Sequence, residues 1–316
     1  MGEIKNELSW SKSRVSMLRS CKRQYYHRYY TFWGGWSYKA TEISRLAYRF
    51  SKMQRLPTLC GIAVHSTIEA MLFDILETGS IQHNNPAFYA RKEILTKTWR
   101  EAEQELWRRN PKKHPPLFEL YYGPRPSAEA LKEVGHKSTA CIHNFLNSGI
   151  FKDLCASAPQ DWLAIEQPLN QDPYSQKSQN LTIDGKTVWV LPDFARRNGD
   201  VIELWDWKTG RPNQSDEEQL FAYALFAREF WDAKAEDIKL FNLYLNGEQG
   251  AEVVERICTE EALNKTEATI RSDLARMTTM LADPETNTPL PMESHFPMTD
   301  NLNTCARCEF KELCAR

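Results

Sequence analysis

The spacing of apolar residues changes partway along the chain. In residues 57–77, Ile62, Ile68, Leu72 and Leu76 recur at helical spacing, which predicts a helix. Residues 86–109, 127–146, 216–230 and 260–281 are also predicted to be helical. Beyond Trp162, short β-prone runs bounded by turn residues predict strands at 163–169, 181–183, 188–196, 201–208 and 238–245. The pattern predicts an α/β fold in which a mixed central β-sheet is flanked by helices, with a helical insertion before it.

Capping residues locate the starts of two helices. Ser11 or Ser9 can cap a first helix that runs through Val15 toward Cys21, because a short polar side chain satisfies free backbone N–H groups there. Ser215 and Glu218 have the spacing of a capping box at the start of the helix predicted for residues 216–230.

The size and composition of the chain fit one α/β core with helical additions. The chain has 316 residues, of which 41% are hydrophobic and 26% are charged. No apolar run approaches the roughly 20 residues that cross a bilayer, and the first ten residues lack the features of a secretory signal. We therefore expect a cytoplasmic protein without a membrane segment.

The amino-terminal end is basic, although the net charge of the whole chain is only -2. Residues 1–60 contain 12 Lys or Arg against three Glu, and a dense aromatic run there is interleaved with Arg23 and Arg28. Such a mixture suits stacking of bases on rings beside a phosphate track, so both arginines are candidate DNA contacts. The alternatives are a solvated basic surface and ordinary aromatic packing.

Residues 188–208 predict a β-hairpin that carries charged residues. Asn198-Gly199 is a favoured two-residue type I′ turn. If this turn sets the register, Asp193 lies across from Leu204, and Asp206 and Lys208 follow on the same face at two-residue steps. Glu203, by parity, points to the other face.

These three charged residues predict a metal site. Ionised groups in a hairpin rich in Val, Leu and Trp are costly without compensation, which a hard cation supplies. Mg²⁺ or Mn²⁺ would take oxygen ligands from Asp193, Asp206 and the carbonyl of Trp207, while Lys208 orients or deprotonates a water molecule. The alternative is a surface ladder of salt bridges between exposed strands.

Three cysteines near the carboxyl end have the spacing of metal ligands. Cys305, Cys308 and Cys314 form a C-x2-C-x5-C pattern, and an even number of thiols in a cytoplasmic chain favours metal over disulfides. A fourth ligand must come from elsewhere in the chain. Zinc is the default metal for four thiolates.

The combination of motifs resembles the PD-(D/E)XK nuclease superfamily and its RecB-like branch. Pro192-Asp193, then Asp206-Trp207-Lys208, then Gln219 and Tyr223 one helical turn apart carry the resemblance. It implies a restriction-endonuclease-like core, metal binding and hydrolysis by Asp193, Asp206 and Lys208, and a DNA-facing role for Gln219 and Tyr223. It also implies that the upstream helical residue His65 is a metal ligand; a lone core histidine is the alternative. Relatives commonly have a glycine before the catalytic Asp, whereas Pro192 here predicts an edge or a bulge.

The cysteines extend the resemblance to nucleases that contain iron and sulfur. One distant upstream cysteine with a carboxyl-terminal C-x2-C-x5-C is similar to the 4Fe-4S arrangement of AddB-type subunits, CRISPR-adaptation nucleases and the exonuclease V group. The resemblance implies a cluster on Cys21, Cys305, Cys308 and Cys314 that joins the two ends of the fold. The remaining cysteines are expected to be core residues: Cys60, Cys141, Cys155 and Cys258.

The sequence therefore predicts four regions and one principal function. The regions are a basic and aromatic segment at 1–60, a helical region at 61–160 with His65, the nuclease core at 161–282 and the iron-sulfur segment at 283–316. The expected function is metal-dependent hydrolysis of DNA, on single-stranded or end-containing substrates, in repair, recombination or defence. A non-catalytic iron-sulfur subunit and an RNA-directed nuclease are the alternatives. No Walker A motif is present, so any helicase action must come from a partner.

Overall fold

The computed structural model describes residues 5–157, 159–169, 180–213 and 215–316, without the side chain of Ser215. The predicted capping contact of Ser215 therefore lies outside the described part. At the other predicted start, Ser11 accepts a hydrogen bond from the N–H of Arg14 and caps the first helix.

The α-helices are α1 (Lys12–Ser20), α2 (Lys22–Tyr26), α3 (Glu42–Ser51), α4 (Leu56–Thr78), α5 (Pro86–Tyr89), α6 (Lys97–Glu103), α7 (Phe118–Tyr122), α8 (Ala128–Asn147), α9 (Gly149–Ala156), α10 (Ser215–Phe230), α11 (Glu260–Thr278), α12 (Met292–His295) and α13 (Leu302–Ala306).

The strands form a central mixed sheet and two small sheets. The central sheet has six strands in the order β3-β2-β6-β7-β8-β9, in which only β7 and β8 pair in parallel. A second sheet has the order β1-β5-β4, and β10 pairs with β11. The bounds are β1 (Ser9–Trp10), β2 (Trp162–Ile165), β3 (Gln167–Pro168), β4 (Leu181–Ile183), β5 (Lys186–Val188), β6 (Phe194–Asn198), β7 (Val201–Lys208), β8 (Ile238–Tyr244), β9 (Glu252–Ile257), β10 (Leu281–Asp283) and β11 (Thr288–Pro289).

Two separate hydrophobic cores cover the two faces of the central sheet. On one face, Ile202 and Leu204 pack with α1, α10 and α11. On the other face, Trp205 and Trp207 pack with α4, α8 and α9. Six consecutive residues in the middle of β7 are buried, as expected for a strand covered on both faces. The predicted mixed sheet flanked by helices is confirmed.

Helix α4 is long and apolar enough to cross a membrane by length and composition. Its packing gives the reason for this composition. Val64, Ile68, Met71 and Leu72 are all buried within the second core. A core helix in contact with a sheet and with other helices needs apolar residues on much of its surface.

Several predicted elements differ from the structure. The strand predicted at 163–169 is two short antiparallel strands, because Glu166 adopts φ of +54° and reverses the chain between β2 and β3. The run at 188–196 is divided between β5 and β6, which belong to different sheets. The helix predicted at 86–109 contains a π-helical segment at Ala90–Thr96 and ends at Glu103. Strand β9 was not predicted.

The hairpin between β6 and β7 also has a different turn. Asn198 pairs with Val201, so the two loop residues are Gly199-Asp200 and the predicted Asn198-Gly199 turn is wrong. Gly199 has φ of +62°, a backbone conformation that glycine adopts without strain. Glycine at the first loop position is typical of a type II′ turn.

The new turn shifts the register of the hairpin by two residues. Ala195, and not Asp193, lies opposite Leu204. Continued past the end of β6, the same register places Asp193 opposite Asp206. A shift of two residues keeps each side chain on its face, so the predicted common face is unaffected.

Candidate active site

The predicted catalytic residues lie at the carboxyl end of β7, where elements from both faces of the sheet meet. Helix α4 brings His65 from one face, and α10 brings Gln219 and Tyr223 from the other. Asp193 directly precedes β6, and Asp206 and Lys208 lie within the last three residues of β7. The fold therefore brings together residues that are far apart in the sequence.

Asp193 is held in place by the backbone of the neighbouring strands. Its Oδ2 accepts a hydrogen bond of 2.6 Å from the N–H of Trp207. Its carbonyl accepts a bond of 3.0 Å from the N–H of Glu166. These two contacts fix Asp193 between β2 and β7. The residue is buried, with 7% of its surface exposed.

His65, Glu166 and Asp193 form a candidate metal-binding group. The Nδ1 atom of His65 lies 3.5 Å from Oδ2 of Asp193 and 3.6 Å from Oε1 of Glu166. Their potential ligand atoms all lie within 4.8 Å of one another, and among the described residues only these three form such a group. Two carboxylates and an imidazole are suitable ligands for Mn²⁺, and the carboxylates for Mg²⁺.

Asp206 lies beside this group and belongs to a buried polar network. Lys208 Nζ is 2.8 Å from Oδ2 of Asp206 and donates a bond of 2.9 Å to Oε1 of Gln219. The amide of Asn242 donates a bond of 3.0 Å to Asp206, and the hydroxyl of Tyr223 donates a bond of 3.5 Å. Gln219 also donates to the Tyr223 hydroxyl. The network fixes the Lys208 ammonium group between a carboxylate and an amide.

Burial and charge shift the pKa values of this site. Burial, followed by the nearby charge of Asp193, raises the pKa of Asp206 to about 7. Burial alone would lower the pKa of His65, but Asp193 and Glu166 outweigh it and hold that pKa well above its usual value. Burial, followed by the charges of Asp206 and Asp193, raises the pKa of Tyr223, so its hydroxyl stays protonated. Without a metal ion, the site thus takes up protons to offset its carboxylates.

Sequence reasoning missed two residues of this site. Glu166 was assigned to the interior of a strand, and its left-handed backbone directs the chain so that the carboxylate reaches His65. Asn242 pairs directly with Asp206 in the parallel register of β7 and β8, and is fully buried. The available signal for Asn242 was a single amide in an otherwise apolar stretch of strand.

Other predicted site residues have different surroundings. Arg23 is buried and bonds to Glu293 and to the carbonyl of Phe296, and Arg28 donates to the carbonyl of Ser51. These internal partners do not favour the predicted DNA contacts of the two arginines. The predicted role of the Trp207 carbonyl as a metal ligand stays a prediction.

The four predicted cluster cysteines line one small cavity near the ends of the described chain. Cys21 lies between α1 and α2, and Cys305, Cys308 and Cys314 follow in the last segment. All four are free thiols, and the other residues that line the cavity include Lys311 and Arg316 but no carboxylate. Four sulfur donors near two cations fit an anionic metal-thiolate centre.

Comparison with protein families identifies the class of this chain. The model of the PD-(D/E)XK nuclease superfamily matches residues 9–315. The chain belongs to this superfamily, which agrees with its mixed sheet and with the predicted resemblance. Comparison with curated proteins gives no match.

Proposed function

We propose that this protein is a metal-dependent DNA nuclease of the RecB-like branch. The observation that carries the proposal is the group of His65, Glu166 and Asp193 directly beside the Asp206-Lys208 pair. A buried cluster of carboxylates next to a single ammonium group suits hydrolysis of an anionic phosphodiester. Membership of the superfamily independently supports a nuclease.

The ligand residues would hold one or more Mg²⁺ or Mn²⁺ ions. Such an ion polarises the phosphodiester and makes a bound water molecule more acidic. His65, Glu166 and Asp193 would supply one set of ligands, and Asp206 would bring one further carboxylate to the same place. The ions would replace the proton that His65 carries between its two carboxylate neighbours.

Lys208 is positioned to act on the reacting phosphate. Its ammonium group contacts both carboxylate oxygens of Asp206 and Oε1 of Gln219, and it would donate to a phosphate oxygen or to the attacking water by exchanging one of these contacts. Gln219 and Tyr223 hold Lys208 and Asp206 in a fixed arrangement, so they support the catalytic groups in addition to the predicted DNA-facing role. Fixed donors of this kind stabilise developing negative charge without reorganisation.

We also propose a 4Fe-4S cluster on Cys21, Cys305, Cys308 and Cys314. The four thiols share one cavity that Lys311 and Arg316 also line, and their positions along the chain resemble those of iron-sulfur nucleases. Burial raises the pKa of the Cys308 and Cys314 thiols, so a bound metal would be needed to ionise these two. The cluster would tie α1 and α2 to the last segment of the chain.

The proposed substrate is DNA with a single-stranded region or a free end, processed in repair, recombination or defence in the cytoplasm. A helicase or another protein would act in trans where strand separation is required. An RNA substrate and a non-catalytic binding role are the two alternatives that an activity assay distinguishes.

The test is cleavage of end-labelled DNA by anaerobically purified protein with Mg²⁺ or Mn²⁺. Single-stranded, double-stranded, linear and circular DNA are compared, with RNA of the same sequence. We expect cleavage by the wild type that is lost in Asp193→Ala and Lys208→Ala. Matched controls are Asp200→Ala at the hairpin loop and Lys239→Ala on β8, both exposed positions. Cutting of linear but not circular DNA identifies end dependence.

The results separate the alternatives. Cleavage of RNA alone would replace DNA as the substrate. DNA binding without any cleavage by metal-loaded wild type would favour the non-catalytic role. Equal activity in the wild type and in both site variants would refute the assignment of this site.

A further inference from the structure

Two large apolar side chains are exposed just before the catalytic Asp193. Trp189 is 53% exposed and Leu191 is 37% exposed, whereas Val188 and Val190 are buried in the first core. This alternation is that of an extended chain, in which successive side chains point to opposite sides. Trp189 and Leu191 therefore face solvent on one side of the segment that leads to Asp193.

The backbone beneath these side chains is fixed. The N–H of Trp189 donates a hydrogen bond of 2.8 Å to the carbonyl of Trp10. The preceding residue, Val188, pairs with Trp10 in the parallel β1-β5 ladder. Buried Val190 continues this attachment to the core. The indole of Trp189 is thus presented to solvent by an ordered segment.

The faces of the Trp189 ring are free of aromatic and cationic neighbours. Among the described residues, no ring pair and no cation-π contact includes Trp189. In contrast, Trp36, which is also exposed, packs against Trp33 and Tyr48. The exposed 53% of Trp189 is therefore a large apolar surface left in water, which needs an explanation.

The position of the pair relative to the active site gives that explanation. Leu191 is two residues and Trp189 four residues before Asp193. Four residues of extended chain span at most about 14 Å. A DNA strand rises about 3.4 Å per nucleotide, so Trp189 lies within about four nucleotides of a phosphate at Asp193.

We propose that Trp189, supported by Leu191, stacks against an unpaired base of the strand that is being cut. This inference rests on the proposed nuclease function and specifies its substrate. Every base presents a π-face, so stacking holds a strand without reading its sequence. A base within a duplex is already stacked on its neighbours, so this surface favours a single strand or a frayed end over closed duplex.

Binding and cleavage by Trp189→Ala test the proposal. Anisotropy with a fluorescent single-stranded oligonucleotide in EDTA measures binding, and cleavage with Mn²⁺ gives kcat and KM. We expect Trp189→Ala to weaken single-strand binding and raise KM by about 5- to 150-fold, with little change on duplex. Trp189→Phe should keep most of the affinity. Phe88→Ala is the matched control, because Phe88 is 49% exposed in the helical region.

Substrates with one abasic nucleotide identify the stacked base. At one position near the cleaved bond, removal of the base should weaken wild-type binding as much as Trp189→Ala does. Trp189→Ala tested with this abasic substrate should then bind no more weakly than with either change alone, since both changes remove the same contact. Additive effects at every position, or a Trp189→Ala variant that behaves like Phe88→Ala, would overturn the proposal. Wild type that neither binds nor cuts nucleic acid would instead refute the nuclease function as well.

Discussion

Replacement of Asp206 by asparagine is expected to stabilise the metal-free protein at alkaline pH while it abolishes activity. Asp206 is 1% exposed, and its pKa in the folded protein is about 7 against 3.8 for the unperturbed group. Since the folded state binds this proton more tightly than the unfolded chain, the contribution of the protonated group to stability is complete below about pH 4. It is lost as the pH rises toward and beyond 7.

The size of the effect follows from the shift. A difference of about three pKa units corresponds to about 4 kcal/mol of unfolding free energy at pH 8. Asparagine is neutral and has nearly the same shape, so it avoids this cost. Lys208 and Asn242 both donate to Asp206 and would meet an amide group instead, which offsets part of the gain. We expect a net gain of about 1–3 kcal/mol, or an increase of roughly 2–5 °C in Tm for a chain of this length.

The assay is thermal unfolding of wild type and Asp206→Asn at pH 5 and pH 8 in EDTA. The variant should be more stable at pH 8, and the difference should largely disappear at pH 5, where Asp206 is protonated. Mn²⁺ at a hundredfold excess over its Kd should stabilise the wild type by about 2.7 kcal/mol, and should stabilise the variant less, because one proposed ligand is lost while His65, Glu166 and Asp193 remain. A variant that is less stable at pH 8, or a difference that does not change with pH, would refute the reasoning.

Glu203→Gln is a matched control on the same strand, and its expected effect on stability at pH 8 is the opposite. Burial alone would raise the pKa of Glu203, but hydrogen bonds from Arg196, Asn198 and Trp205 outweigh it and lower that pKa. The ionised form of Glu203 therefore stabilises the fold at neutral pH. Glutamine should lower the Tm at pH 8, and the loss should shrink as the pH falls through the lowered pKa.

Three further predictions concern the metal site and the cysteines. Glu166→Gln should weaken Mn²⁺ binding on the order of 10- to 100-fold by calorimetry, whereas Glu133→Gln at an exposed position of α8 should change it little; equal effects would remove Glu166 from the ligands. Mn²⁺ binding at pH 7 should release a proton from His65, whose pKa is raised, so the affinity for Mn²⁺ should increase with pH. Calorimetry in buffers of different ionisation enthalpy counts the released protons. An affinity that does not change with pH would contradict this prediction. Cys308→Ser should abolish the brown colour of an anaerobic preparation and lower its solubility and DNA binding together. Cys155→Ser should not, because Cys155 is exposed and the prediction that it is a core residue is wrong. A stable, colourless wild type would exclude the cluster.

The sequence predicted which hairpin residues share a face better than it predicted the turn. The turn and the register were wrong, but the register error was two residues, so Asp193, Asp206 and Lys208 kept their predicted common face. Local alternation fixes the face of a side chain, and this information survives an error in turn position. Strand β7 was likewise predicted with its correct bounds, because its whole apolar run is buried.

The missed residues depend on long-range or non-local structure. The importance of Asn242 comes from parallel pairing with Asp206 across a helical connection, which no local pattern specifies. Glu166 adopts a positive φ that a strand-like run gives no reason to expect. The charge of Arg23 was visible, but its partner Glu293 lies 270 residues away. A count of charges along the sequence does not reveal such internal pairing.

The two cores on opposite faces of the sheet mean that activity depends on two packing layers at once. His65 enters the site from the layer of α4, and Gln219 and Tyr223 enter from the layer of α10. A cavity opened in either layer can displace one half of the site while the other layer remains packed. Loss of cleavage on heating should then precede loss of helical structure, and compensating substitutions for a damaged layer are expected within that same layer. In evolutionary terms, each layer can change its interior independently, provided that it keeps presenting its side chains at the end of β7.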